Sequence, residues 1–424
     1  MSARFLMLTT FYPPHSFGGD AVGIQRLARG LVKLGHHVTV VHDSDAYRVL
    51  TSGPMPAAPP HDVDEGVEVI RLSSASPVTS TLLTQQLGRP VVQGRRLREI
   101  IARGQYDVVN YHNVSLIGGP GLFALAGDAV TAYMAHEHWL VCPMHVLWRH
   151  GRELCTGREC FSCSLSYRRP PQLWRYTGLL DRELDRIDTI IAMSEFSRAK
   201  HREFGLRQPM EVLPYFLPDP TSEGMPTPSG ASPHDRPYFL FAGRLERIKG
   251  LDDVIPVFRD LRGAELLVAG DGTHAPALQA LAADLPNVRF LGRITPDDLR
   301  RYYEHAIALI VPSECYETFG IVLIEAFRQG TPVIARRLGP FPEIVESSGG
   351  GELFSTRDEL LAAMTRLSTD AAHRATLAAA GYRAYVERWS ERVVVPQYLD
   401  IIRRAALRKG QLRTASLVAY PEAA

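Results

Sequence analysis

A chain of 424 residues exceeds what one hydrophobic core serves and implies two domains of about 200 residues each. A formal charge of +1 gives no global argument for nucleic acid, and five cysteines in this length do not make a disulfide scaffold. No apolar run reaches the roughly 18 residues that cross a bilayer, and the start Met1-Ser2-Ala3-Arg4-Phe5 lacks the charged beginning of a secretory signal, so a cytoplasmic location is expected.

In chain order, Phe5 to Leu8 reads as a first buried strand. A loop rich in Pro and Gly follows and ends in Gly18-Gly19. Ala21 to Leu34 carries Ile24, Leu27 and Leu31 at helical spacing, Gly35 stops it, and His37 to Val41 reads as a second strand. Strand, loop, helix and strand in that order predict a βαβ unit of a parallel sheet. Further strands are expected at Val67–Ile70, Val108–Tyr111, Val130–Met134, Thr189–Ala192 and Glu211–Leu213. Pro218 to Pro237 has no periodicity and reads as a linker. A second βα series begins at Tyr238–Phe241 and continues through Glu265–Ala269, Val288–Phe290, Ala308–Val311 and Pro332–Ala335. Helices are expected at 357–367 and 371–388, and a last one at 389–407 crosses back to the first domain. The fold class is therefore α/β, with two Rossmann-like doubly wound parallel sheets facing across a cleft. Ligands of such sheets lie beyond the carboxyl ends of the strands.

The most informative stretch is Ser313-Glu314-Cys315-Tyr316-Glu317-Thr318-Phe319-Gly320-Ile321-Val322-Leu323-Ile324-Glu325. It sets Glu317 in a loop before an apolar helical run and Glu325 inside that run, two turns from Glu317. Thr318 and Gly320 are expected in the first helical turn, whose free N–H groups attract phosphate. Gly243-Arg244-Leu245 and Lys249-Gly250 follow the first strand of the second half. A guanidinium and an ammonium there can neutralise a diphosphate. Only four of the basic residues are lysines, Lys33, Lys200, Lys249 and Lys409, so Lys249 within a motif is notable. The Gly18-Gly19 backbone can approach a phosphate closely.

These motifs resemble the Glu-x7-Glu and Gly-Arg-Leu…Lys-Gly patterns of the retaining glycosyltransferases of family four, which have the GT-B fold. The resemblance implies an acceptor domain over 1–218 with a Cys-rich insertion at 139–176, a linker at 219–236, and a nucleotide-sugar donor domain over 237–392. A C-terminal helix and tail follow at 393–424. It also implies that a nucleoside-diphosphate sugar, with UDP or GDP as the nucleotide, donates a hexose or N-acetylhexosamine to a hydroxyl with retention of configuration and without a catalytic metal. Arg244 and Lys249 would hold the diphosphate, faced by Gly18 and Gly19. Glu317 would hold donor-sugar hydroxyls, and Glu325 the ribose. Thr318, Phe319 and Gly320 would complete the phosphate cradle, and Arg293 and Ile294 would meet the nucleobase. His136 would stand near the anomeric carbon. His112 and Asn113 are candidates for the acceptor side. In Leu338-Gly339-Pro340, proline replaces the family's second glycine and removes one N–H. The acceptor is a saccharide, a lipid-linked sugar or a natural product of a bacterial pathway.

Cys142, Cys155, Cys160 and Cys163 form a Cys-x12-Cys-x4-Cys-x2-Cys pattern. Four thiolates match a structural zinc site, with an iron–sulfur cluster or ordinary and paired cysteines as alternatives. Trp139-Leu140-Val141-Cys142-Pro143 resembles the entry to such an insertion in family four enzymes of surface-polysaccharide and natural-product pathways. Basic and aromatic clusters at 95–103, 167–176 and 403–409 are solvated faces or contacts with the inner face of an anionic membrane. A reading of a different class remains, a non-catalytic nucleotide-sugar sensor or scaffold. A scaffold need not keep Arg244, Lys249, Glu317 and Glu325 together.

Overall fold

The computed structural model describes residues 2–51, 53–220, 224–228 and 230–420. The chain divides into two compact units, one of residues 1–215 with 391–424 and one of residues 216–390. Of the expected linker 219–236, residues 221–223 and 229 lie outside the described residues, as do residues 421–424 of the tail.

The first unit contains β1 (Arg4–Thr9), β2 (His37–Asp43), β3 (His61–Asp64), β4 (Val67–Leu72), β5 (Val108–Tyr111), β6 (Val130–Ala135), β7 (Trp148–Arg149), β8 (Glu153–Leu154), β9 (Thr189–Ala192) and β10 (Met210–Val212). Its main sheet runs β10-β9-β6-β5-β1-β2-β4-β3. All neighbours are parallel except β3, which pairs antiparallel with β4. The central strands are apolar along their whole length because helices cover both faces. Phe5, Leu6, Met7 and Leu8 are all fully buried. Strand β3 was not expected. It is an edge strand of mostly exposed residues, three of them charged or polar, and carries no buried periodicity. Strands β7 and β8 are a small antiparallel hairpin within the cysteine-bearing segment 139–176.

The second unit contains β11 (Tyr238–Ala242), β12 (Glu265–Ala269), β13 (Val288–Gly292), β14 (Leu309–Val311), β15 (Val333–Arg336) and β16 (Gly351–Phe354), in the order β13-β12-β11-β14-β15-β16. Every pair is parallel. Phe239, Leu266, Val268, Phe258 and Met364 are at the centre of its core, with the Phe239 and Phe258 rings 6.3 Å apart and edge-on. Each such side chain contributes about 1.5–3 kcal/mol by leaving water. Strand order reverses between β1 and β5 in the first sheet and between β11 and β14 in the second. A doubly wound sheet offers its ligand crevice at that reversal.

The last long helix, Glu391–Lys409, belongs to the first unit. It begins two residues later than the sequence predicts. Val394, Tyr398, Ile402 and Ala405 are buried on one face, and the Tyr398 hydroxyl accepts from Asn110 at 3.0 Å. No helix among the described residues is long and apolar enough to cross a membrane.

Candidate active site

The loops that leave β11, β12, β13 and β14 are tied together by their own backbones. Gly243 N–H donates to Ala269, Leu245 to Asp271, Gly270 to Gly292 and Glu314 to Ile248, at 2.8–3.0 Å. This places the Arg244 and Lys249 segment against the Glu317 segment although they are far apart in sequence. Gly250 makes the approach feasible. Its φ is +73°, and a Cβ there would lie 2.1 Å from the Pro312 carbonyl oxygen. The Pro312 carbonyl is itself held by Arg336 Nε at 2.8 Å.

Within this frame Lys249 Nζ pairs with Glu317 Oε1 at 2.5 Å, and the Ser313 hydroxyl donates to the same oxygen at 3.1 Å. Both ionised side chains are partly buried, 21% and 24% exposed, so the pair is neither a surface contact nor fully dry. Burial pushes the Glu317 carboxyl up. The Lys249 charge, the bonds from Lys249 and Ser313 and the Arg244 charge outweigh it and hold the group below its ordinary value. Lys249 mirrors this. Burial lowers it, and Glu317 and Cys315 more than reverse the effect. The Cys315 thiol, buried beside Glu317, is pushed up to about 12 by burial and then by that negative charge, so it is a neutral wall. Arg244 is exposed. The site thus carries an ionised carboxylate, an ammonium 2.5 Å from it and an open guanidinium. It can accept bonds from hydroxyls and neutralise an oxyanion at once.

The apolar helix begins at Ile321, not at Thr318. Gly320 caps it at φ +103°, where a Cβ would strike the Phe341 ring at 2.7 Å. Thr318 therefore lies ahead of the first turn. The Phe319 side chain is buried against Trp389, with ring centroids 6.4 Å apart, which leaves only its backbone to meet a ligand. Glu325 sits one turn into the helix, and its Oε2 accepts weakly from the Tyr303 hydroxyl at 3.4 Å. Arg293 is exposed and 3.5 Å from Asp271, and Ile294 is half-buried beside it, both just beyond β13. Pro340 caps the helix Phe341–Ser348 after Gly339 at φ +64°, a place where no helical N–H is lost.

In the first unit Gly18 precedes the helix Gly19–Lys33 in extended conformation, and Asp20 occupies the first turn. His136, just beyond β6, is buried. Its Nε2 bonds His112 Nδ1 at 2.8 Å and its Nδ1 bonds the Tyr215 hydroxyl at 2.5 Å. Burial lowers His136 to about 4, and burial with the neighbouring ring holds His112 well below its ordinary value, so both are neutral. Asn113 is buried and accepts from the Ser115 hydroxyl at 3.0 Å. Sequence reasoning missed Ser313, although it stands four residues from Glu317. It also missed Tyr215, 79 residues from His136, for which there is no local signal.

The structure gives the metal expectation no support. Cys142, Cys155, Cys160 and Cys163 are free thiols, and no group of three or more His, Cys, Asp or Glu side chains among the described residues is arranged to hold a metal ion. Cys163 accepts from the His150 N–H at 3.3 Å, and Cys155 turns to the Gly157 carbonyl at 3.1 Å. Neither the zinc nor the iron–sulfur reading is supported by this arrangement.

Residues 17–217 match the family described as Glycosyltransferase Family 4, and residues 227–384 match Glycosyl transferases group 1. An uncharacterized glycosyltransferase of Methanocaldococcus jannaschii is 26% identical over 372 residues, covering 82% of this chain and 84% of that protein. Glycogen synthase of Mycobacterium tuberculosis is 28% identical over 374 residues, covering 84% and 83%. Among solved structures, sucrose-phosphate synthase from Thermosynechococcus elongatus superposes with a TM-score of 0.71 at 18% identity, covering 96% of this chain and 100% of that one. The Anabaena protein HepE in complex with UDP and glucose gives 0.64 at 16% identity, covering 94% and 99%. With both family matches falling in chain order on two doubly wound sheets, the chain belongs to the family four glycosyltransferases of GT-B fold.

Proposed function

We propose that this glycosyltransferase moves a hexose or N-acetylhexosamine from a nucleoside diphosphate to an acceptor hydroxyl with retention of configuration. The observation that carries this reading is the Lys249–Glu317 pair beside the open Arg244, at the strand reversal of the second sheet. The acceptor is a saccharide, a lipid-linked sugar or a natural product. The solved UDP complexes of HepE support UDP as a donor nucleotide, and the mannosyltransferase relatives named as GDP-mannose-dependent support GDP.

Arg244 and Lys249 take the diphosphate and neutralise the charge that develops as it leaves, so no metal ion is needed at the catalytic centre. When Lys249 turns to the diphosphate, Glu317 gains free lone pairs for the donor-sugar hydroxyls. Glu325 accepts from the ribose, and Arg293 and Ile294 border the base. The backbone of Thr318, Phe319 and Gly320 approaches the phosphates. His136 has both ring nitrogens engaged, so it holds a fixed wall in the first unit and exchanges no proton.

Thermal stabilisation by UDP, GDP, ADP and dTDP, with and without attached sugars, tests the donor site. A nucleotide far above its dissociation constant should add about 2–4 kcal/mol. Glu317→Ala should keep nucleotide binding and lose sugar transfer, and the product's anomeric coupling in NMR reports retention. Nucleotide binding with no turnover of any donor in the wild type would favour a sensor instead.

A further inference from the structure

The segment 139–176 and the residues 180–184 and 205–207 that pack on it line a cavity of about 410 Å³ inside the first unit, within the size range of small-molecule sites. Leu140, Leu180, Leu184 and Leu206 supply apolar wall. Three guanidinium groups, Arg158, Arg175 and Arg207, also line it, and they are matched by one carboxylate, Asp181, 3.3 Å from Arg207. Arg175 is the informative one. Its Cζ lies 4.7 Å from the Trp174 ring centre and 5.3 Å from that of Trp139. Its Nε donates to Gln172 Oε1 at 2.5 Å and its Nη2 to the Trp139 carbonyl at 2.8 Å. These are dipoles and ring faces, not a counter-charge. Among the described residues no carboxylate pairs with Arg175 or with Arg158, whose Nη2 donates to the Phe204 carbonyl. Burial accordingly depresses the Arg175 pKa. Arg175 is half-buried, and a guanidinium held between two indoles by carbonyl dipoles alone keeps charge to offer an anion in the cavity. An arginine core or a plain surface would need no cavity in front of it.

We propose that this cavity binds a small organic anion, a phosphate or carboxylate on an apolar body, with Arg175 and Arg158 pairing its charge and the leucines holding its body. The site lies within the first unit and shares no residue with the Lys249–Glu317 centre. It is contiguous in sequence with His136 through Trp139 and Leu140, so an occupant would brace the segment that carries His136.

Trp139 and Trp174 are built-in reporters. Tryptophan fluorescence of the full chain is titrated with phenyl phosphate, benzoate, inorganic phosphate and dioctanoyl phosphatidic acid. Saturable quenching by phenyl phosphate is expected, weaker for inorganic phosphate, which lacks the apolar body. Tighter binding of the phosphatidic acid would assign the anion to a lipid, and tighter binding of phenyl phosphate to a soluble metabolite. Arg175→Gln should weaken binding by about tenfold or more, the loss expected for one charged hydrogen bond. Arg175 also packs, so Arg158→Gln, at an exposed position, is the second variant and should weaken binding severalfold. Arg244→Ala should leave the titration unchanged. Absence of saturable quenching, quenching indifferent to Arg158→Gln, or loss on Arg244→Ala would overturn the proposal.

Discussion

The Lys249–Glu317 pair makes stability and chemistry depend on the same contact. Glu317→Gln leaves a partly buried ammonium without its carboxylate. The expected cost is about 1–3 kcal/mol of unfolding free energy in a urea titration, with sugar transfer down about a hundredfold. The sign of its pH dependence follows from the two shifts. Glu317 is held below 4.5, so its contribution is present above that value and fades as pH falls through the lower folded value. Lys249 is held above 10.5, so its contribution is present below that value and is lost as pH rises through the higher folded value. The stability gap between wild type and Glu317→Gln should therefore be flat between pH 5 and 10, on the order of these limits, and close outside them. A gap that varies strongly between pH 6 and 8 would sink this account. The histidine pair adds a pH dependence of its own, and it comes from burial, not from an ion pair. His136 is lowered from 6.5 to about 4, so the unfolded chain binds more protons in that window, and stability falls as pH falls through it. The slope should reach about 1.4 kcal/mol per pH unit for each such group. His136→Asn should remove its share, measured by urea titration at several pH values in that window.

At the scale of elements, the site depends on loops that come closer than a side chain would permit. Gly250 and Gly263 both have positive φ, +73° and +86°, but only Gly250 has backbone in front of it. Gly263→Ala should cost about 1–2 kcal/mol, the left-handed conformation alone. Gly250→Ala adds a Cβ 2.1 Å from the Pro312 oxygen, so it should cost about 3 kcal/mol or more and also weaken nucleotide binding. Equal midpoints for the two variants would show that the loop contact is not tight. The same scale separates what the sequence displays from what it hides. Central strands such as β11 and β12 are legible because burial on both faces makes them continuous apolar runs. Strands β3 and β16 are not, since an edge strand carries polar residues or glycines that read as turn. Glu317, Glu325, Arg244 and Lys249 are legible because their spacing is local. The bond between Tyr215 and His136 depends on tertiary approach, and the one from Ser313 to Glu317 on how the short loop between them turns. Cysteine spacing says less for a related reason: separation along the chain does not fix where four thiols point, and here Cys155 and Cys163 answer to backbone groups.

At the scale of the whole molecule, the chain leaves the first unit near Tyr215 and returns to it at Glu391. The two crossings are tied within the second unit, where Leu217 N–H donates to the Trp389 carbonyl at 2.9 Å and the Tyr385 hydroxyl to the Pro218 carbonyl at 2.5 Å. What returns is structural. The helix Glu391–Lys409 buries Val394, Val395, Tyr398, Leu399, Ile401 and Ile402 in the first unit, worth on the order of 10 kcal/mol. Its ion pairs, Arg404 with Glu211 and Lys409 with Asp188, are partly exposed and add about 0–1 kcal/mol each. Domain stability is itself only about 5–15 kcal/mol. A chain ending at Ser390 should therefore fail to fold its first unit. The second unit should survive, because its core residues run from Phe239 to Leu367 and Trp389 still stacks on Phe327 at 5.9 Å. Limited proteolysis of the truncated chain should leave one resistant fragment near residues 216–390, with one thermal transition where the full chain shows the signal of both units. Tyr398→Phe is the milder form. It removes the oxygen acceptor of the buried Asn110 amide, which keeps only the Met134 sulfur at 3.4 Å, and should lower first-unit stability by about 1–2 kcal/mol, leaving the second unit's transition in place. Protection of both units after truncation would mean that the returning helix covers the first sheet without holding it together.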